Sequence, residues 1–171
     1  PAPLHREFFS YLHLVDLSDR VYAQFPPGGP FMLWIGVLFG APWLVGPVCG
    51  ALIVWLFARV ARAAEPEASD RWVLGATLVF ALTPFGVFMY GSYMNHVTSL
   101  LWILVAVVAL IQLVDLHECV AVALPPTNAE SSAGARRRTV ALALTVGFGF
   151  GAAATIRPLD AFAFALPAAV W

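Results

Sequence analysis

Polar and apolar positions divide this chain into two unequal parts. Residues 1–30 interleave His5, Arg6, Glu7, His13, Asp16, Asp19 and Arg20 with Phe8, Phe9, Tyr11 and Tyr22. That mixture suits an interfacial arm, with rings at headgroup depth and charges in water. A short amphipathic helix fits His5 to Leu14. From Phe31 onward the sequence is almost continuously apolar, broken by short polar stretches. The spacing of those breaks predicts a short helix over 31–39 and crossings over about 41–61, 71–90, 98–114 and 140–155. A further, incomplete run covers 159–171. Residues 31–63 are too long for one straight crossing, because at about 1.5 Å per residue they extend roughly 50 Å against a core of about 30 Å. The Gly40-Ala41-Pro42 break divides them. Ser69 or Asp70 is placed to cap the helix that follows, and Pro84 predicts a kink in it. Residues 115–138 read as a polar loop ending in Arg136, Arg137 and Arg138. The fold class expected is therefore all-α, a polytopic transmembrane helical bundle.

Composition agrees with the pattern. The chain has 171 residues, 61% of them hydrophobic and 11% charged, against roughly 25% charged in soluble domains. A formal net charge of −1 leaves no basic surface to neutralise nucleic-acid phosphates, so membrane lipid is the partner expected. Cys49 and Cys119 form no ligand or disulfide spacing and read as free thiols, and no divalent metal or other cofactor is indicated. No basic start followed by an apolar core marks a secretory signal. An opening at Pro1 and a close at Trp171 inside an apolar run predict a piece of a longer polytopic protein.

Charge also sets an orientation. Arg59 and Arg62 with Arg71 mark one loop as cytoplasmic, and Arg136 to Arg138 mark another, with two crossings between them. The arm, the polar cluster from Gly91 to Ser99 and the segment Arg157 to Asp160 then share the opposite face. The arm enters the membrane through Tyr22-Ala23-Gln24-Phe25-Pro26-Pro27-Gly28-Gly29-Pro30. Proline there has two readings, an ordinary helix entrance or a rigid elbow that fixes the arm over the membrane surface. Arg157 and Asp160, three residues apart, are either a structural ion pair at a helix junction or a guanidinium held for phosphate. Asn95 and His96 are either a polar turn or binding groups, and Tyr90 and Tyr93 are either belt aromatics or part of the same cluster. His5, His13, Asp16 and Asp19 lack a metal-ligand spacing. Gly147, Gly149 and Gly151 resemble a dinucleotide-binding set only superficially. Inside an apolar helix, Gly147 and Gly151 are better explained by close helix packing.

Taken in order, Leu4-His5-Arg6-Glu7-Phe8-Phe9, Tyr22 through Gly28, Tyr93-Met94-Asn95 and Arg157-Pro158-Leu159-Asp160 resemble a bacterial branch of the GT-C membrane glycosyltransferases. These are relatives of the protein O-mannosyltransferases and the lipid A aminoarabinose transferase (glycosyltransferase family 39-like). In that branch a first extracytoplasmic loop ends in a Tyr-x-x-x-Pro-Pro-Gly element leading into a short helix. Its Arg-Pro-Tyr-Glu-Gly segment is matched here by Arg157-Pro158-Leu159-Asp160-Ala161, with the acid kept in kind. The resemblance implies a partial GT-C-like membrane domain of the bacterial inner membrane. It implies transfer of a sugar from a polyprenyl-phosphate donor on the extracytoplasmic face. Tyr22, Tyr93, Asn95, His96, Arg157, Asp160 and His5 are the substrate-binding candidates it suggests. The family's catalytic carboxylate follows a first transmembrane helix, so the base is expected upstream of Pro1, with Asp16 and Asp19 as candidates within the chain. The competing reading is a non-catalytic polytopic protein, such as a transporter or lipid-binding scaffold, with Arg157 and Asp160 as a lock or substrate contact.

Overall fold

The computed structural model describes residues 14–17, 20–23, 26–92, 95–122 and 129–170, with side chains described over 26–92, 95–118 and 133–169. Among the described residues the chain is helical apart from one hairpin. Strands β1 (Leu14–Leu17) and β2 (Arg20–Ala23) pair antiparallel, with Leu17 opposite Arg20 and Val15 opposite Tyr22. Val15, Val21 and Tyr22 supply the β-branched and aromatic character that strands favour. Leu14, expected at the end of an amphipathic helix, instead opens this hairpin; the rest of that expected helix lies outside the described residues.

Helix α1 (Gly28–Leu38) starts on the elbow itself, three residues before the expected Phe31. Pro30 is accommodated because the first turn of a helix needs no amide donors. The chain then reverses through Gly40, whose φ of +68° only glycine adopts without strain. A 3₁₀ turn at Pro42–Leu44 leads into α2 (Val45–Ala64), whose 20 residues extend about 30 Å.

At the far end of α2, Arg62 donates to the Ala68 carbonyl at 2.6 Å and forms an ion pair with Asp70. This ties the loop to the start of α3 (Asp70–Ala81). Of the two expected caps it is Ser69 that serves, its Oγ accepting from the Trp72 amide at 3.3 Å. A break at Leu82-Thr83 bends the chain by 63° into α4 (Pro84–Tyr90). The predicted kink at Pro84 is thus a full interruption. Thr83 caps the new helix through Gly86, and Pro84 begins it, where a missing amide costs nothing. Despite the bend, α3 and α4 together retrace α2. Asp70 meets its last turn, and Tyr90 packs on Gly50 near its start.

Helix α5 (Asn95–Val122) and α6 (Ala129–Ile156) are antiparallel neighbours, and α7 (Pro158–Val170) follows after Arg157. The polar loop expected over 115–138 is corrected here, since α5 runs on through Val122 and α6 begins at Ala129. Ala, Glu and Arg are prominent in these flanks and propagate a helix beyond the hydrocarbon as readily as within it.

The core lies where α5 crosses α2 and α6. Cys49, Ile53 and Leu56 of α2 meet Val97 and Leu101 of α5. Ile103 of α5 packs with Ala153 and Ala161. Gly149 is the glycine that permits the α5–α6 approach: a Cβ there would stand 2.9 Å from the Trp102 carbonyl oxygen and 2.9 Å from the Ala106 Cβ. Gly147 and Gly151, expected to make the close packing, face open space. Positions two residues apart on a helix point to opposite sides, so only one of the two sets can meet α5.

Three helices, Pro42–Ala64, Asn95–Glu118 and Ala133–Ile156, are long and apolar enough to cross a membrane, and a fourth span is possible if the bent α3–α4 pair counts as one. Large apolar side chains such as Val79, Phe88, Leu144 and Phe148 stand outward. A lipid environment suits that arrangement.

Candidate functional site

The Gly28-Gly29 elbow, Asn95-His96 and the Arg157–Asp160 pair meet at one end of the helices. The elbow reaches it through glycine backbone. A Cβ on Gly29 would collide with the Asn95 side chain, and one on Gly28 would lie 2.5 Å from Thr155 Oγ1 and 2.8 Å from the Thr155 carbonyl oxygen. The first turn of α1 is therefore wedged between the start of α5 and the end of α6, at a distance no larger residue allows.

Arg157 occupies the single-residue joint between α6 and α7. Its amide still closes the α6 ladder on Ala153 at 2.7 Å, while its carbonyl accepts from Ala161 at 3.1 Å. Pro158 begins α7 without needing a donor. This continuity brings Asp160 back beside the arginine, with Nε and Oδ2 3.0 Å apart. The two side chains are 35% and 38% exposed, so the pair is open to the surroundings. With Nε directed to Asp160, neither terminal amino group of Arg157 has a partner among the described residues. A guanidinium held in this way keeps its fork available for a second anion.

His96, exposed on the first turn of α5, lies within electrostatic reach of both Arg157 and Asp160. Asn95 and His96 thus belong to the first turn of a helix, not to a polar turn before one. Beneath them the helix is buried. Thr98 donates to the Asn95 carbonyl at 3.1 Å, and Ser99, 1% exposed, has no hydrogen-bond partner among the described residues. Gly29, Gly46, Ser92 and Asn95 line a cavity of about 10 Å³, the size of one water molecule.

A larger apolar groove, about 320 Å³, lies beside the polar end, between α1 and α2. Met32, Ile35 and Phe39 form one wall, and Val48, Cys49 and Leu52 the other. It holds no group capable of chemistry apart from the free, buried thiol of Cys49.

Among the expected site residues, Asn95, His96, Arg157 and Asp160 come together. For Tyr22 the structure gives a backbone position in β2, and for Asp16 one in β1. His5, Asp19 and Tyr93 lie outside the described residues. Thr155 and Ile156 stand outside the expected site residues, and Ser99 enters them only as the end of the Gly91–Ser99 cluster. The signal available for the first two was their place directly before Arg157, on the helix that delivers it. Ser99 carried a weaker one, a hydroxyl one turn inside Asn95 on an otherwise apolar helix. Comparison of the chain with protein-family models, curated proteins and solved structures found no match.

Proposed function

We propose that the chain is part of an integral membrane glycosyltransferase of the GT-C kind. It would transfer a sugar from a polyprenyl-phosphate donor to an acceptor on the extracytoplasmic face of a bacterial inner membrane. The observation that carries this reading is the meeting of the Gly28-Gly29 elbow, Asn95-His96 and the Arg157–Asp160 pair at one end of the helices. Arg157 has its Nε fixed by Asp160 and its terminal amino groups without a partner among the described residues, which suits a phosphate leaving group. A carboxylate base would take the proton of an acceptor hydroxyl, whose oxygen attacks the anomeric carbon. The bond to the phosphate oxygen breaks, and its electron pair stays on the lipid phosphate. Arg157, with Asn95 or His96, stabilises that developing charge. The apolar groove along α1 offers a wall for the isoprenoid tail.

The test is sugar transfer from labelled polyprenyl-phosphate donors in membranes carrying the native gene product, compared with its Arg157→Lys variant. A bidentate phosphate contact depends on fork geometry, so the variant is expected to lose about tenfold in turnover or donor binding, about 1.4 kcal/mol. Near-normal transfer by a folded Arg157→Lys protein would return the residue to a structural ion pair. Donor lipid bound without any transfer would favour the non-catalytic lipid-binding scaffold instead.

A further inference from the structure

The end of the bundle opposite the candidate site carries a second cluster of cations, and the fold treats its members differently. Arg62 is committed to Asp70 and the Ala68 carbonyl. Arg59 lies over the Trp55 ring, its guanidinium carbon 5.0 Å from the centroid. Arg136, Arg137 and Arg138 are exposed on α6 and have no ion-pair partner among the described residues. Acids are near in level, because α6 runs antiparallel to α5 with Gly149 against Ala106, which brings Asp115 and Glu118 towards the height of these arginines. Neither is joined to them.

Depth and direction point to what does pair with them. From Arg138 to Ile156 the helix rises roughly 27 Å, close to the thickness of a hydrocarbon core of about 30 Å. With the Ile156–Arg157 joint at one interface, the three arginines stand at the other. Successive residues turn about 100°, so the three side chains sweep about 200° of the α6 circumference. That circumference is mostly outward, since Arg136, Arg137, Arg138 and Val140 are all exposed. The long arginine stems can follow the apolar surface while the guanidiniums remain among the headgroups.

We propose that Arg136, Arg137 and Arg138 form a collar that binds the phosphates of anionic phospholipids in the leaflet at this end of α6. A phosphodiester matches the guanidinium fork, and an anionic headgroup supplies the charge that the described residues withhold. This inference is independent of any catalytic role for Arg157.

The experiment is a titration of the full chain in detergent with phosphatidylglycerol or phosphatidylcholine, counting bound lipids by native mass spectrometry. Wild-type protein is expected to prefer phosphatidylglycerol, and the preference should weaken as salt is raised from about 50 to about 500 mM. Replacing all three arginines with Gln should reduce that preference at least about fivefold, the effect of a single basic residue near an anionic surface. The triple Lys variant should retain more of it than the Gln variant. Equal affinity of wild-type protein for both lipids would overturn the proposal, whether or not the Gln variant folds. So would an unchanged preference in a folded Gln variant. Displacement of the lipid by inorganic phosphate at similar concentration would identify a free-phosphate site, and would overturn the lipid collar.

Discussion

Gly28 and Gly29 carry the candidate site at the level of single residues. What they contribute is absence, since α1 reaches α5 and α6 only because neither residue has a Cβ. The two contacts differ in what can yield. Gly29 faces the Asn95 side chain, which can rotate away, whereas Gly28 faces the Thr155 carbonyl oxygen, held in the last turn of α6. Gly28→Ala is therefore expected to cost about 1–3 kcal/mol, as overpacking of a close contact does. Gly29→Ala should cost less and chiefly displace Asn95. Thermal unfolding of the two variants in detergent tests this, and midpoints equal to that of the wild-type protein would show that the elbow is not wedged. Only the topology of this arrangement could be read from the sequence. Arginine-marked loops put the elbow, Asn95-His96 and Arg157 on one face, but a glycine spelled in a sequence does not say which atom it approaches. The Arg157–Asp160 pair was legible because it is local, being a three-residue spacing across a proline that starts a helix.

Elements were legible where a local residue decides them, and less so where a neighbour does. Ser69, Gly40 and Pro84 each act within one turn of their own position, so the cap, the reversal and the break fall where the sequence puts them. The polar flanks of α5 and α6 contain good helix formers, and polarity alone gave no reason to distinguish a loop from a helix emerging into water. The β1–β2 hairpin was obscured in a similar way, because its aromatic and charged residues also suit an interfacial arm. The seam between α5 and α6 was misplaced for a different reason. Gly147-x-x-x-Gly151 has the spacing of a packing motif, yet the position of α5 makes Gly149 the contact. Gly149→Ala is expected to lower stability by about 1–3 kcal/mol. Gly151→Ala, with nothing within 4 Å of its Cβ, should be neutral or gain up to about 1 kcal/mol in helix propensity. Unfolding midpoints that rank the two the other way would contradict the seam. A smaller effect is expected at the α2–α3 turn. The Arg62–Asp70 pair is 40% and 98% exposed, so Arg62→Ala should change stability by no more than about 1 kcal/mol.

For the whole molecule, the two ends of the bundle have different chemistry, and the path of the chain fixes which residues share each end. Helix α2 leaves the elbow end and reaches Arg62; α3 and α4 return, because Tyr90 packs on Gly50. Helix α5 leaves again from Asn95, and α6 returns to Arg157. The loop holding Ser69 and the start of α6 holding Ser131 therefore lie at the arginine-rich end, while the elbow lies at the other. The excess of arginine at one end predicts that this end is cytoplasmic, because cytoplasmic loops retain Lys and Arg. With Cys49 and Cys119 replaced by Ser, single cysteines at Ser69 and Ser131 should be protected from an impermeant thiol reagent in intact cells and react after lysis. A cysteine at Ser18, which follows β1 in the sequence, should react in both. Labelling of Ser69→Cys and Ser131→Cys in intact cells with Ser18→Cys protected would reverse the orientation. The Arg157–Asp160 pair would then face the cytoplasm, and transfer from a donor presented on the extracytoplasmic face would lose its geometric basis. The collar at Arg136 to Arg138 would survive that result, because it depends on depth along α6 and not on which leaflet lies there.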